Sequence, residues 1–93
     1  MHPPLTHFTS PDFWLCYKRL SSDVQRIADK YFGLLESDPR HPSLHLKKIG
    51  RAWSVRAGLR YRAVGMDAPC PQRGILWIWI GSHAEYDRLI KGF

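Results

Sequence analysis

Seven basic side chains fall in a 28-residue stretch without a single carboxylate: Arg40, Lys47, Lys48, Arg51, Arg56, Arg60 and Arg62, between Pro39 and Met66. The other 65 residues hold seven basic and eight acidic groups, so the net charge of +6 belongs to the middle of the chain. A positive field without counter-charge is costly to fold around unless an anion uses it, and a phosphate backbone is the commonest such partner. The plainer alternative is a solvated basic face that only aids solubility; an ordinary soluble face, however, mixes both signs. His45 lies inside the stretch and His83 beyond it. Histidine moves protons near neutral pH, and arginine grips phosphate through a bidentate fork, so these residue types suit proton transfer beside a bound phosphate. His41 and His45 have the spacing of a helical metal site, but Pro42 stands between them and argues against a helix there. No metal or cofactor is expected.

The elements that must position these residues follow from periodicity. Ser10-Pro11 starts a helix, a capping hydroxyl followed by proline at the first helical position, with Phe13, Tyr17 and Leu20 at helical spacing. A second helix is expected from Ser22 to about Ser37, opened by a Ser22–Gln25 capping box and striped by Val24, Ile27, Ala28, Tyr31 and Leu35. Asp38-Pro39-Arg40-His41-Pro42 cannot continue it. The period then becomes two. Leu44 and Leu46, then Trp53, Val55 and Ala57, then Tyr61 and Ala63 alternate with polar or basic residues, predicting three half-buried strands joined by turns at Gly50-Arg51 and Gly58-Leu59. The run Ile75 to Ile80 is apolar on both faces and reads as a central strand covered on both sides. Ser82 and Glu85 cap a last short helix whose Tyr86, Leu89 and Ile90 face inward. On the strands, the face opposite the apolar one carries His45, Lys47, Ser54, Arg56 and Arg62, with like charges side by side. Trp53, Trp77 and Trp79 read as core, whereas Trp14 is free to face a partner.

The 93 residues, 44% hydrophobic, are enough for one domain with one thin core and too few for two. The longest apolar run has six members, far short of a membrane span. The Met-His-Pro-Pro start lacks the charged and apolar regions of a signal peptide, so a cytoplasmic setting is expected. Cys16 and Cys70 are then expected to be unpaired.

The succession Pro39-Arg40-His41-Pro42-Ser43-Leu44, Lys47, Trp53-Ser54-Val55-Arg56, Tyr61-Arg62-Ala63-Val64 and Ile80-Gly81-Ser82-His83 resembles the RelE/ParE superfamily of bacterial toxins from type II toxin–antitoxin systems, over roughly Leu5 to Ile90. The resemblance implies an α+β fold: two N-terminal helices packed on a twisted antiparallel four-stranded sheet, with a short C-terminal helix. Members of the superfamily are either messenger-RNA endonucleases acting on the ribosome or ParE-type poisons of DNA gyrase, and fold alone does not choose between them. The nuclease chemistry needs a base for a ribose 2′-hydroxyl, cations for the phosphorane charge, and an acid for the departing 5′-oxygen.

By resemblance, Arg62 would lie on the scissile phosphate with Arg56 as a second clamp. His83 would be the general acid or base, and His45 or Lys47 the second proton-transfer group. Lys48, Arg51 and Arg60 would add nucleic-acid contacts. Tyr86 would either stack on a base or belong to the core, since Leu89 and Ile90 continue its helical face. His83 has the simpler alternative of a capping or surface histidine, and His45 that of an exposed strand residue. The histidines and basic groups gathered on one face favour a ribosome-dependent endoribonuclease over a gyrase poison or an inactive antitoxin-binding relative. In each case a cognate antitoxin is implied, an acidic or amphipathic segment that covers the basic face or displaces the last helix.

Overall fold

The Ser10 hydroxyl accepts the Phe13 amide at 3.2 Å, and Pro11 takes the first helical position, where its missing amide hydrogen has no partner to lose. In the computed structural model, which describes residues 6–69 and 74–91, this helix, α1, spans Pro11–Lys18. The next helix, α2, covers Ser22–Ser37, but its cap is Ser21, whose hydroxyl accepts the Val24 amide. The expected Ser22–Gln25 box does not form. Gln25 instead donates its side-chain amide to the Tyr17 carbonyl at 3.0 Å and ties α2 to the end of α1.

Beyond the prolines the first expected strand is replaced by a single tight turn, Pro42–Leu44. The His41 ring accepts the Ser43 amide at 3.1 Å, and His45 ends the turn with a left-handed backbone, φ 46°. Local side-chain bonding at a proline outcompetes the ladder here. Leu44 is fully buried as the plug of this turn. The strand that follows, β2, is only Lys47–Ile49. It leads through a tight turn to β3 (Ala52–Arg56), then to β4 (Tyr61–Asp67) and β5 (Gly74–Ser82), and the last helix, α3, is His83–Ile90. Most of the connection before Gly74, with Cys70, lies outside the described residues, while Cys16 is a free thiol.

Among the described residues the sheet has five strands and is mixed, a correction to the expected four antiparallel ones. A short strand, β1 (Thr6–Thr9), precedes α1 and pairs in parallel with β5, giving the order β1-β5-β4-β3-β2. Four residues show no usable period, and a parallel pairing has no turn to announce it.

Directly opposed residues share a face, so the register sorts the side chains. Trp53 opposite Gly65 and Val55 opposite Ala63 face α1 and α2. Ala52 opposite Met66, Ser54 opposite Val64 and Arg56 opposite Arg62 face the other way. A bulge at Val64/Gly65 matches Val64 with Trp79 but Gly65 with Trp77, leaving Ile78 as the extra residue. Trp77 and Trp79, two positions apart, therefore serve opposite faces. Trp77 joins Ile75, Ile80, Val55, Ala28, Leu35 and Leu44 in the core beneath the first two helices. Trp79 packs with Val64, Ala52, Tyr86 and Leu89 beneath α3. The apolar run of β5 is thus covered on both sides, as its composition requires. No helix among the described residues is long and apolar enough to cross a membrane.

Candidate functional site

Three chain segments meet at one end of the sheet: the last residue of β3, the start of β4 and the junction of β5 with α3. Arg56 and Arg62 are direct cross-strand partners on the α3 side, and Arg62 is in turn opposite Gly81. Two like charges in register destabilise a sheet unless an anion lies between them. The preceding turn depends on Gly58, whose φ of 133° is open to glycine, and a Cβ there would press on Ile27 at 3.0 Å.

The turn also aims Arg62, which donates through Nη1 to the Tyr61 carbonyl at 2.9 Å and more weakly to that of Gly58 at 3.4 Å. Burial first, and then the Arg56 charge, push the guanidinium below its ordinary value, while Tyr86 and Asp87 act in the opposite direction. An arginine remains cationic under such pressure near neutrality. The Nε of Arg56 is buried without a hydrogen-bond partner among the described residues.

His83 is brought to the same end by a cap. The Ser82 hydroxyl accepts the Glu85 amide at 3.2 Å, and the Glu85 carboxylate accepts the Ser82 amide and hydroxyl at 3.2 and 2.9 Å. These bonds hold the Glu85 carboxyl below the usual carboxylate range and fix the start of α3. The His83 amide donates to the Arg60 carbonyl at 2.8 Å, tying the helix start to the β3–β4 turn. Its ring is exposed, with Nδ1 3.1 Å from the Asp87 carboxylate one helical turn on.

Arg56, Arg60, Arg62 and His83 therefore belong to one end of the sheet. Lys47 is exposed and opposite Ser54, on the same face as Arg56 and Arg62. Ser54 itself is buried. His45 is not on a strand. Continuing the β2–β3 register would put position 45 level with Arg56, but the ladder begins at Lys47 and the left-handed turn takes His45 out of it. Lys48 faces the other way, opposite Trp53; its ammonium is 2.8 Å from Asp67 and 5.5 Å from the Trp53 ring centroid. Trp53 donates its indole N–H to the same carboxylate, and these bonds hold Asp67 below its ordinary range. Arg51 occupies the opposite end of β3, about 16 Å away along the strand at 3.3 Å per residue. Tyr86 is 7% exposed and packed against the sheet, so no ring face is free to stack on a base. Asp87 lies four residues after His83 on the capped helix α3, a spacing that brings the two side chains to one face.

On the other face, α1 and α2 leave a cleft of about 260 Å³ lined by aromatic residues, among them Phe13, Trp14, Tyr17, Phe32 and Trp77. Trp14, one of its lining residues, is 45% exposed. Within it His7 accepts the Trp77 indole N–H on Nδ1 at 3.1 Å, and burial pushes this imidazole down, with Glu36 opposing. The cleft is lined mainly by apolar side chains and meets the cationic end at Arg56, which is among its lining residues.

No protein-family model matches the chain, and no curated protein matches it in sequence. Solved structures do match in shape. The toxin–antitoxin complex RelBE2 from Mycobacterium tuberculosis superposes with a TM-score of 0.63 at 14% identity, covering 87% of this chain and 100% of that one. An Escherichia coli RelE toxin variant in the free state gives 0.62 at 15% identity, covering 98% and 99%. The YoeB/ParE toxin from Agrobacterium tumefaciens gives 0.61 at 13% identity, covering 85% and 99%. The chain has the fold of the RelE/ParE toxins over nearly its whole length.

Proposed function

We propose that the chain is the toxin of a toxin–antitoxin pair and that it cleaves messenger RNA on the ribosome. The observation that carries this is the in-register opposition of Arg56 and Arg62, with His83 tied by its amide to the Arg60 carbonyl at the same sheet end. Two half-buried arginines opposed in register, at the sheet end that also carries a histidine, are what phosphodiester transfer through a neighbouring hydroxyl needs, and a surface serving only solubility has no use for them.

In the proposed reaction the ribose 2′-hydroxyl gives up its proton to a base as its oxygen bonds to phosphorus. The bond from phosphorus to the 5′-oxygen then breaks, and that oxygen takes a proton from an acid. The products are a 2′,3′-cyclic phosphate and a 5′-hydroxyl. Arg62 and Arg56 stabilise the charge on the five-coordinate phosphorus, and His83 exchanges one of the two protons. Lys47 is placed on the correct face to serve the other; His45 would have to turn back towards it. Arg60 adds a phosphate contact. The partners are the ribosome and messenger in the cytoplasm, and an antitoxin, acidic or amphipathic, that covers this cationic end.

Purified protein, programmed ribosomes and end-labelled messenger test the proposal. Cleavage should be lost when the cut position carries 2′-deoxy or 2′-O-methyl ribose, and should fall by about 10² or more in Arg62→Ala and in His83→Ala. Growth arrest with intact transcripts and double-strand DNA breaks would replace it with the gyrase reading.

A further inference from the structure

The cleavage chemistry makes no use of the aromatic cleft between α1, α2 and the sheet. Trp14 of α1 and Phe32 of α2 both line it, and they are 45% and 41% exposed, whereas rings of this size are ordinarily withdrawn from water. Trp14 is held in place: its indole N–H donates to the Thr9 hydroxyl at 3.0 Å, and its ring meets Phe13 and Tyr17 edge-on. Across the cleft His7 lies stacked on Trp77 and edge-on to Phe32. The volume of about 260 Å³ is just below the range of about 300–1,000 Å³ for drug-sized ligands, a fit for one small planar group.

The polar groups of the lining narrow the occupant. Because His7 accepts the Trp77 indole N–H on Nδ1, its neutral ring carries its proton on Nε2, which makes that nitrogen a donor. Asp29 accepts the Tyr17 hydroxyl on one carboxylate oxygen at 2.8 Å and has the second for another donor. Arg56 also lines the cleft, and it is the cross-strand partner of Arg62. Tyr31, a further lining residue, is close enough to Arg62 to oppose the lowering of its proton affinity, so cleft and arginine pair meet on the α2 side as well. Aromatic faces, a donor, an acceptor and an adjoining cation together match a planar base joined to a phosphate. We propose that the cleft binds a nucleobase against its exposed rings, Trp14 and Phe32, with the phosphate of the same nucleotide on Arg56. The inference rests on the nuclease proposal for its source, a nucleotide of the messenger; a free nucleotide has the same chemistry, and the test separates the two.

Nuclear magnetic resonance titrations of the full chain use the four ribonucleoside 5′-monophosphates, the four nucleosides and ribose 5-phosphate as probes. The best-bound monophosphate should shift the Trp14 indole N–H and the His7 ring signals. Its nucleoside should shift the same signals at higher concentration, and ribose 5-phosphate should leave them in place. Arg56→Ala should weaken the monophosphate to the level of the nucleoside. Trp14 and Phe32 stand outside the core, so Trp14→Ala and Phe32→Ala should keep the fold and weaken monophosphate binding by about 5- to 150-fold, the worth of one base stack, with Trp14→Phe recovering most of it. In the ribosome assay a rise in KM for both alanine variants assigns the base to the messenger, whereas wild-type cleavage beside weakened monophosphate binding assigns it to a free nucleotide. Trp14 and His7 signals unmoved by every monophosphate, together with a wild-type KM in both variants, overturn the inference and leave the nuclease proposal standing. Shifts as large with ribose 5-phosphate overturn it equally. If monophosphates shift these signals but wild type cuts no messenger, the nuclease proposal fails and the nucleotide site stands.

Discussion

Gly81 is the position at which a single methyl group should disturb the candidate site without altering Arg56, Arg62 or His83. An ideal Cβ at residue 81 stands 2.5 and 2.8 Å from Cζ2 and Cη2 of Trp79, and 3.2 Å from the Glu85 carboxylate. Carbon atoms rest about 3.5–4.0 Å apart, so the indole must retreat by about 1 Å or the strand must bend. Retreat is hindered because Trp79 packs against Val64, Tyr86 and Leu89, the contacts that seat α3 on the sheet. Overpacking of this kind costs about 1–3 kcal/mol. For a domain of this size a loss of about 2 kcal/mol lowers Tm by about 8–16 °C. Heat unfolding of Gly81→Ala followed by circular dichroism measures it, and a double-mutant cycle with Trp79→Leu identifies the cause. With the ring shortened, the same Gly81→Ala change should cost less than about 0.5 kcal/mol, a coupling within the range of residues in direct contact. An unchanged Tm, or an equal cost in both backgrounds, would refute the steric reasoning. Because Arg62 is opposite Gly81, cleavage by Gly81→Ala should fall together with stability.

Three further outcomes are expected. Burial lowers the proton affinity of His7 in the fold, so the unfolded chain binds more protons below its ordinary value of 6.5. Stability contributed by His7 is therefore present above that pH and lost as pH falls, and His7→Gln should flatten this part of a urea-denaturation series taken between neutral and mildly acidic pH. If the Arg56 end holds phosphate and Lys48 does not, Arg56→Ala should reduce the slope of log binding against log salt by about one unit, and Lys48→Ala should leave it unchanged, as read by RNA-binding titrations. Leu44, fully buried in its turn, should cost about 3–5 kcal/mol when replaced by alanine, measured by chemical denaturation.

The parts of the fold legible in the sequence are those with local chemistry. Ser10-Pro11 and Ser82 with Glu85 mark helix starts through hydrogen bonds made within four residues, and both starts are present. The glycine turns and the double-sided apolar run of β5 are local in the same sense. What escaped depends on remote partners. Nothing inside Thr6–Thr9 reveals that it pairs with Gly74 to Trp77. The bulge that sends Trp77 and Trp79 to opposite faces appears only when β4 and β5 are aligned. At the site, Arg56, Arg62 and Lys47 follow from strand alternation, whereas the alternation that included His45 and Leu44 was a false period interrupted by the Pro42 turn. Tyr86, on the sheet-facing side of α3, is packed with Ala52 and Val64, an environment that the helical stripe it shares with Leu89 and Ile90 already signals.

The parallel pairing of β1 with β5 joins residues 68 positions apart, and the antiparallel pairing with β4 makes β5 the element on which both halves of the sheet wait. A chain emerging from its N-terminus can form α1, α2 and the β3–β4 hairpin early, since those contacts are short in sequence. It cannot close its sheet, cover the helix-facing core or bring His83 beside Arg62 until residues 74–83 have been made. Assembly is therefore late and concerted, with the exposed edge of β4 waiting for a strand. Until β5 is in place the β4 edge is an unpaired strand, and Arg62 lacks the Gly81 neighbour that completes its end of the sheet.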